Sequence, residues 1–188
     1  MADLAFACDC GALRGHLSGA TARNGTRAAC FCADCRAGEL YARQPDPAPG
    51  PVQLYQTMPF RIRLTQGAEE LGAFSFSPRG PLRWQARCCG APLALTLRSP
   101  RLSFASIRTD RLEDPDALGP VTARAFVKKP NGKRGHEGLL RFVTGFAARA
   151  LSARLTGIWR DTPFFEDGGA PTGEVTLVSK EERAALMA

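Results

Sequence analysis

The sequence predicts a mainly β fold that ends in one amphipathic helix. In about the first hundred residues, large apolar residues alternate with polar ones over short segments, which is typical of strands with one buried face. Gly and Pro separate these segments, as expected at turns. After about residue 137 the apolar residues recur at helical spacing instead. A chain of 188 residues with 44% hydrophobic content suffices for one domain with a single core.

The strand pattern favours antiparallel pairing, because the segments are short and closely spaced. The predicted strands are residues 13–18, 52–57, 61–65, 72–77, 82–87 and 93–97. Before the second of these, prolines occupy alternate positions from Pro45 to Pro51. Because proline cannot donate a ladder hydrogen bond, this stretch is expected to be an extended surface loop.

The helix is predicted from Glu137 onward. Its apolar arc comprises Leu139, Leu140, Phe142, Val143, Phe146, Ala147, Ala150 and Leu151, and the opposite face comprises Arg141, Thr144, Ala148, Arg149 and Ser152. We expect the apolar arc to pack on the β core. The tail from Thr162 is rich in Gly and Pro, so it should be irregular until a short helix over 180–186.

The N-terminal residues lack the basic start and long apolar run of a signal peptide, so the expected location is cytoplasmic. Arg141, Arg149 and Arg154 interrupt the longest apolar stretch, so no membrane span is expected. The net charge of +7 and pI of about 9.4 favour an acidic partner: an anionic small molecule, a phosphate or a nucleic acid. A solvated arginine-rich surface would explain the charge equally well.

The seven cysteines form three compact groups. These are Cys8 and Cys10, then Cys30, Cys32 and Cys35, and finally Cys88 and Cys89. The odd count, the expected cytoplasmic location and the close C-x-C spacing disfavour a disulfide framework. Thiolates at this spacing can instead turn toward one Zn²⁺ ion, and a distant group can complete the tetrahedron.

Seven thiolates divide naturally into a closed set of four and an open set of three. Cys30, Cys32 and Cys35 form the one three-cysteine group, so they are the candidates for an open, catalytic zinc site. Cys8 and Cys10, completed by Cys89 with or without Cys88, would form a closed structural site. The open site would leave one position for water or a substrate sulfur.

The order C-x-C-G, C-x-C-x-x-C and C-G-x-P-L resembles the family of glutathione-dependent formaldehyde-activating enzymes, which includes centromere protein V. The matching segments are residues 8–11, 30–35 and 89–93, with Arg36 following the middle group. The resemblance covers residues 4–105. It implies a zinc-bearing fold of antiparallel sheets, a structural zinc on the first and last groups, and a second zinc on the middle group.

Three features depart from the family pattern. Phe31 stands where relatives often have histidine, and Ala86 stands where they have the first cysteine of C-x-x-C-G. The extra thiol is Cys88, so the structural site has either four thiolates or three with another ligand, in which case Cys88 is a buried thiol. The extension after residue 120 suggests a divergent subfamily, with a zinc-binding β domain at 1–120 and a helical extension at 121–188 packed on it.

The resemblance implies a carbon–sulfur lyase that acts on a glutathione-like thiol and a small aldehyde. Arg36 is the candidate for binding the carboxylates of such a thiol, although an ordinary exposed arginine is an equal interpretation. The basic turn at 128–136 could also bind an anion, but a solvated loop is favoured. The alternative function is a non-catalytic zinc module that binds nucleic acid or protein through its basic surface.

Overall fold

The computed structural model describes residues 3–188 and contains two β-sheets. The smaller sheet has three antiparallel strands in the order β1 (Leu4–Ala7), β2 (Arg14–Leu17) and β5 (Ile62–Gln66). The larger sheet contains β3 (Thr26–Cys30), β4 (Val52–Thr57), β6 (Leu71–Ser75), β7 (Leu82–Ala86), β8 (Pro92–Thr96), β9 (Ala105–Arg108), β10 (Ala123–Lys128), β11 (Arg134–Glu137) and β12 (Val175–Leu177). The predicted mainly β fold is confirmed.

The nine strands of the larger sheet follow the order β11-β10-β3-β4-β9-β8-β7-β6-β12. The strands of the first hundred residues pair antiparallel with one another, as predicted, but two pairs that involve later strands are parallel, β10 with β3 and β12 with β6, so the larger sheet is mixed. Both exceptions involve strands from the last third of the chain. These strands reach the sheet after long connections, which permit a parallel approach that a tight hairpin does not.

Three helices accompany the sheets: α1 (Ala33–Tyr41), α2 (Leu139–Thr156) and α3 (Lys180–Ala185). Helix α1 follows β3 directly, and α3 begins with a capping box between Ser179 and Glu182. Within residues 3–188, no helix combines the length and the apolar character needed to cross a bilayer.

The core lies where the larger sheet meets the smaller one and the C-terminal segment. Trp84 and Tyr55 are fully buried, and the indole Nε1 of Trp84 donates to Thr96 Oγ1 at 2.9 Å. The ring of Phe164 lies 5.1 Å from that of Trp84 and is also buried. The segment before β12 is therefore anchored in the core, although it has little regular structure.

Helix α2 occupies the predicted region, but the side of the helix that packs on the sheet differs from the predicted one. The predicted apolar arc includes Leu140, which is 78% exposed, whereas Ala153 is buried. Arg149, assigned to the outer face, points inward and donates hydrogen bonds to Thr26 and Gln56. The predicted packing of the apolar arc holds for Phe146, whose ring lies 5.3 Å from that of Phe104, but not for the exposed residues Leu139, Leu140, Val143 and Leu151. The sheet surface beneath α2 carries polar side chains, and an arginine satisfies them where a leucine would not.

Candidate metal centres

The described residues bring all seven cysteines together at two places. Cys8, Cys10, Cys88 and Cys89 form one cluster, and Cys30, Cys32 and Cys35 form the other. Within each cluster the Sγ atoms lie within 4.8 Å of one another, so each cluster could hold a metal ion. Sulfur-only donor sets of this kind suit a soft cation such as Zn²⁺. The ligand role of each thiol stays a prediction.

The four-cysteine cluster has the spacing of a tetrahedral metal site. The Sγ of Cys88 lies 3.3 Å from that of Cys10, 3.8 Å from that of Cys8 and 4.0 Å from that of Cys89. Four sulfurs at about 2.3 Å from a central zinc would be about 3.8 Å apart. Cys88 is exposed, which is contrary to the buried thiol considered from the sequence. Its position within the cluster favours the four-thiolate alternative.

Two turns from different sheets build this cluster. Cys8 follows β1, and its sulfur accepts a hydrogen bond from the Leu13 backbone N–H at 3.3 Å. Cys88 and Cys89 lie in the turn between β7 and β8, where Gly90 adopts a φ of 76° that favours glycine. A metal ion at this position would join the smaller sheet to the larger one.

Hydrogen bonding prepares the four-cysteine cluster to bind a cation. Burial acts to raise the pKa of Cys8, but hydrogen bonds from the Leu13 N–H and from the thiols of Cys10 and Cys88 lower it to about 7. A thiolate at neutral pH is the form that binds metal. Beside the cluster, Asp9 forms an ion pair with Arg111, whose Nη2 also donates to Gln44 at 2.8 Å.

The three-cysteine cluster lies where β3 passes into α1. Cys30 is the last residue of β3, Cys32 is the N-cap of α1, and Cys35 is in its first turn. The Cys35 backbone N–H donates to the Cys32 sulfur at 3.2 Å. Hydrogen bonds from the thiols of Cys30 and Cys35, together with this N–H, lower the pKa of Cys32 to about 2. The helix N-terminus thus favours a thiolate there.

A cavity of about 270 Å³ opens beside this cluster. Its lining includes Cys30 and Cys32 together with Lys128 and Arg134 from the β10–β11 hairpin. Arg134 Nη1 donates to the carbonyl oxygen of Phe31 at 2.8 Å, which holds the hairpin against the cysteine segment. The sequence indicated this basic segment but not its proximity to the cysteines, because residues 103 positions apart meet only through sheet pairing.

Arg36, the predicted substrate-binding residue, is among the residues that line the same cavity. Its guanidinium makes two hydrogen bonds to Asp46, at 2.8 and 2.6 Å. These bonds lower the pKa of Asp46 to about 2, so the carboxylate stays charged and occupies the arginine. Lys128 has no salt bridge within residues 3–188, so its charge is the more accessible of the two.

The cavity also has an apolar wall. Phe126 lines it and has a φ of 60°, a left-handed conformation that is uncommon for a bulky residue. The backbone irregularity between Arg124 and Val127 produces this turn of the chain. Met187, just beyond α3, also contributes to the lining. The cavity beside the sulfurs therefore offers both positive charge and apolar surface.

A buried cation lies beneath the three-cysteine cluster. Arg83 on β7 is 9% exposed, and its guanidinium carbon lies 4.7 Å from the centroid of the Phe76 ring. Burial lowers the pKa of Arg83, while the negative charges of Cys35, Asp34 and Cys32 act to raise it. Within residues 3–188 Arg83 forms no salt bridge. Sequence reasoning missed this residue, although a charge at a buried strand position was a signal for it.

The two histidines are not part of either cluster. His136 lies on β11, where its Nδ1 accepts a hydrogen bond from the Phe126 backbone N–H at 3.4 Å. His16 lies on β2 and pairs with Ala5 and Arg63 in the smaller sheet. The clusters within residues 3–188 that could hold a metal ion are therefore built from thiols alone.

Comparison with known proteins gives a matching family and similar solved structures. The family described as “Family of unknown function (DUF6151)” matches residues 2–176. A solved crystal structure of a Rhodobacter sphaeroides protein is similar, with 24% sequence identity and a TM-score of 0.43. That similarity covers 62% of this chain and 96% of the Rhodobacter chain. No curated protein matches the chain.

Proposed function

The chain belongs to the DUF6151 family, whose function is unknown, and we therefore propose a function from the chemistry of its own residues. The proposal is a zinc-dependent enzyme, similar to carbon–sulfur lyases, that acts on the adduct of a small aldehyde with an anionic thiol such as glutathione. The observation that carries it is the convergence of Cys30, Cys32 and Cys35 beside a cavity with basic and apolar walls.

The two clusters are suited to different tasks. Four thiolates would close the coordination shell of zinc and serve the fold, whereas three leave one position free for a ligand. When bound at the three-cysteine cluster, zinc would hold the substrate sulfur as a thiolate and keep it nucleophilic near neutral pH. Residues 1–120 would carry both metal sites, and the extension at 121–188 would supply the hairpin that faces the open one.

The residues of the cavity would bind and orient the thiol substrate. Lys128 is an exposed cation that could hold a carboxylate of the substrate. Arg36 is a second candidate, provided that its guanidinium can bind the substrate while it stays paired with Asp46. Phe126 offers apolar surface for the rest of the molecule. In the reaction, a sulfur–carbon bond forms at the aldehyde carbon, and the carbonyl oxygen takes up the proton that the thiol loses. The reverse reaction cleaves the same bond.

The cysteine spacing supports this proposal, because the segments at 8–11, 30–35 and 89–93 resemble those of the glutathione-dependent formaldehyde-activating enzymes. Phe31 in place of histidine leaves the three-cysteine cluster without a polar neighbour at that position. Because this departure lies beside the open site, we propose a class of substrate rather than glutathione and formaldehyde in particular. The proposal requires a reducing compartment, as the expected cytoplasmic location would provide.

The experiment compares wild type with Cys32→Ser in two measurements. Zinc content per chain should fall from two ions to one, because the variant loses one thiolate of the three-cysteine cluster. The exchange rate between free glutathione, formaldehyde and their adduct, followed by NMR, should rise with wild type and not with the variant. Arg79→Gln, at an exposed turn between β6 and β7, is the control that should retain both properties. A zinc-loaded wild type that neither binds glutathione nor speeds the exchange would contradict the proposal.

A further inference from the structure

A second polar cavity lies on the inner side of α2, away from both cysteine clusters. Its volume is about 370 Å³, and three arginines line it: Arg23, Arg61 and Arg149. Met58, Phe60 and Ile158 form apolar parts of its wall. None of the residues that line it is acidic. Three cations thus face one cavity without a carboxylate to balance them.

The three arginines have only neutral partners. Within residues 3–188, none of them forms a salt bridge. Arg149 donates to Gln56 and to Thr26, and its Nε is buried without a hydrogen-bond acceptor. Arg61 donates to the carbonyl oxygen of Ser18 at 3.4 Å. These two side chains are therefore held in place while their positive charges stay unneutralised.

This arrangement is unfavourable without an added negative charge. Burial lowers the pKa of Arg149; Tyr55 acts to raise it, and the positive charge of Arg61 acts to lower it, so the two guanidinium groups repel each other. On the adjoining strand β5, by contrast, Arg63 is paired with Asp161. Within residues 3–188 the fold thus supplies a carboxylate for Arg63 but none for the three arginines of the cavity. An anion from solution could neutralise them.

We propose that this cavity is a binding site for a phosphate monoester with a small apolar body. Three guanidinium groups provide paired N–H donors for the tetrahedral oxygens of a phosphate dianion. The cavity is larger than one phosphate group, and the side chains of Met58, Phe60 and Ile158 could contact an attached apolar group. The site is independent of the cysteine chemistry, so it stands whether or not the proposed lyase activity is correct.

The test uses phenyl phosphate as the probe and titration calorimetry at constant ionic strength. Wild type should bind it more tightly than inorganic phosphate, because the ring adds contact with the apolar wall. Arg61→Gln and Arg23→Gln should each weaken binding by about tenfold, the value of one charged hydrogen bond. Arg23 is exposed and Arg61 is half-buried, so both variants should fold, which circular dichroism checks.

Arg79→Gln provides the matched control, because it removes the same charge from an exposed turn. This turn joins β6 and β7, and in the larger sheet β8 and β9 lie between β7 and β4. The affinity of this variant for phenyl phosphate should equal that of wild type. Equal weakening in Arg79→Gln and Arg61→Gln would show a general charge effect and would overturn the site. Absence of binding by folded wild type would overturn it as well, and so would equally tight binding of phenol.

Discussion

At the scale of single residues, Arg83 shows how the fold treats an unpaired buried charge. The nearby carboxylate of Glu39 is already paired with Arg108, and Asp34 is paired with Arg183. The negative charges that act on the pKa of Arg83 are therefore those of the cysteine segment, Cys35 and Cys32, together with that of the partly occupied Asp34. A cluster of three thiolates around a divalent cation carries net negative charge, so a buried guanidinium beneath it would stabilise the metal-bound form.

Replacing Arg83 should therefore weaken metal binding at the three-cysteine cluster. Arg83→Met removes the charge and keeps most of the volume, and we expect zinc affinity there to fall about 10- to 100-fold. Competition with a chromophoric chelator measures this affinity. Arg83→Lys should recover part of it, because the charge returns without the planar guanidinium. Unchanged affinity in Arg83→Met would show that the residue has a packing role alone.

Cys88 allows a second test at this scale. Its sulfur lies within the four-cysteine cluster, so Cys88→Ser should release one zinc ion per chain and lower the melting temperature. Ser18→Ala, which alters a small polar side chain outside both clusters, should leave the zinc content unchanged. Metal analysis together with thermal unfolding gives both values. Full zinc content in Cys88→Ser would mean that three thiolates and another ligand form the site.

At the scale of elements, the alternation of apolar and polar residues predicted strands well where the apolar residues were large. The predicted segment 52–57 coincides with β4, and 82–87 extends β7 by one residue. Strand β3 was missed because its sequence, Thr-Arg-Ala-Ala-Cys, has no large apolar residue to mark a buried face. Helix α1 was missed because its N-cap is Cys32, which is not among the residues that usually signal a helix start.

The same limits apply to the candidate sites. Cysteine spacing alone groups the thiols, because neighbouring positions in sequence remain neighbours in space. The positions of Lys128 and Arg83 near the three-cysteine segment depend on sheet order, which local pattern does not encode. The inward side of α2 was misjudged for a similar reason, since the surface that it meets is built from β3 and β4.

The orientation of α2 leads to a prediction about stability. Ala153 is buried and lines the cavity of the three arginines, so Ala153→Lys should destabilise the protein by about 2–4 kcal/mol through burial of a further unpaired cation. Leu155 is 78% exposed, and Leu155→Gln should change stability by less than about 0.5 kcal/mol. Urea unfolding of both variants measures the difference. A larger loss of stability in Leu155→Gln than in the Ala153 variant would instead support the orientation of α2 that was expected from the hydrophobic arc.

At the scale of the whole molecule, the four-cysteine cluster lies between the two sheets and would link them when it holds a metal. Its cysteines come from the turn after β1 and the turn between β7 and β8, so a bound metal ties together regions 78 residues apart. Such a tie restricts the unfolded chain much more than one within the short segment from Cys30 to Cys35.

Removal of metal should therefore lower the melting temperature substantially, by about 10 °C or more. Most of this loss should come from the four-cysteine cluster, so Cys10→Ser should reproduce more of it than Cys32→Ser. Differential scanning calorimetry of zinc-loaded, chelator-treated and variant proteins measures the shifts. An equal shift for the two variants would mean that the closure of the long loop does not determine stability.

The distance along the chain between the thiols also bears on the order in which a nascent chain acquires its metals. Cys30, Cys32 and Cys35 leave the ribosome almost together, so their segment can capture a cation before most of the sheet exists. Cys8 must wait for Cys88, which lies 80 residues later. The catalytic candidate would thus be loaded early during synthesis, and the link between the sheets would close late, as a final step that locks the assembled fold.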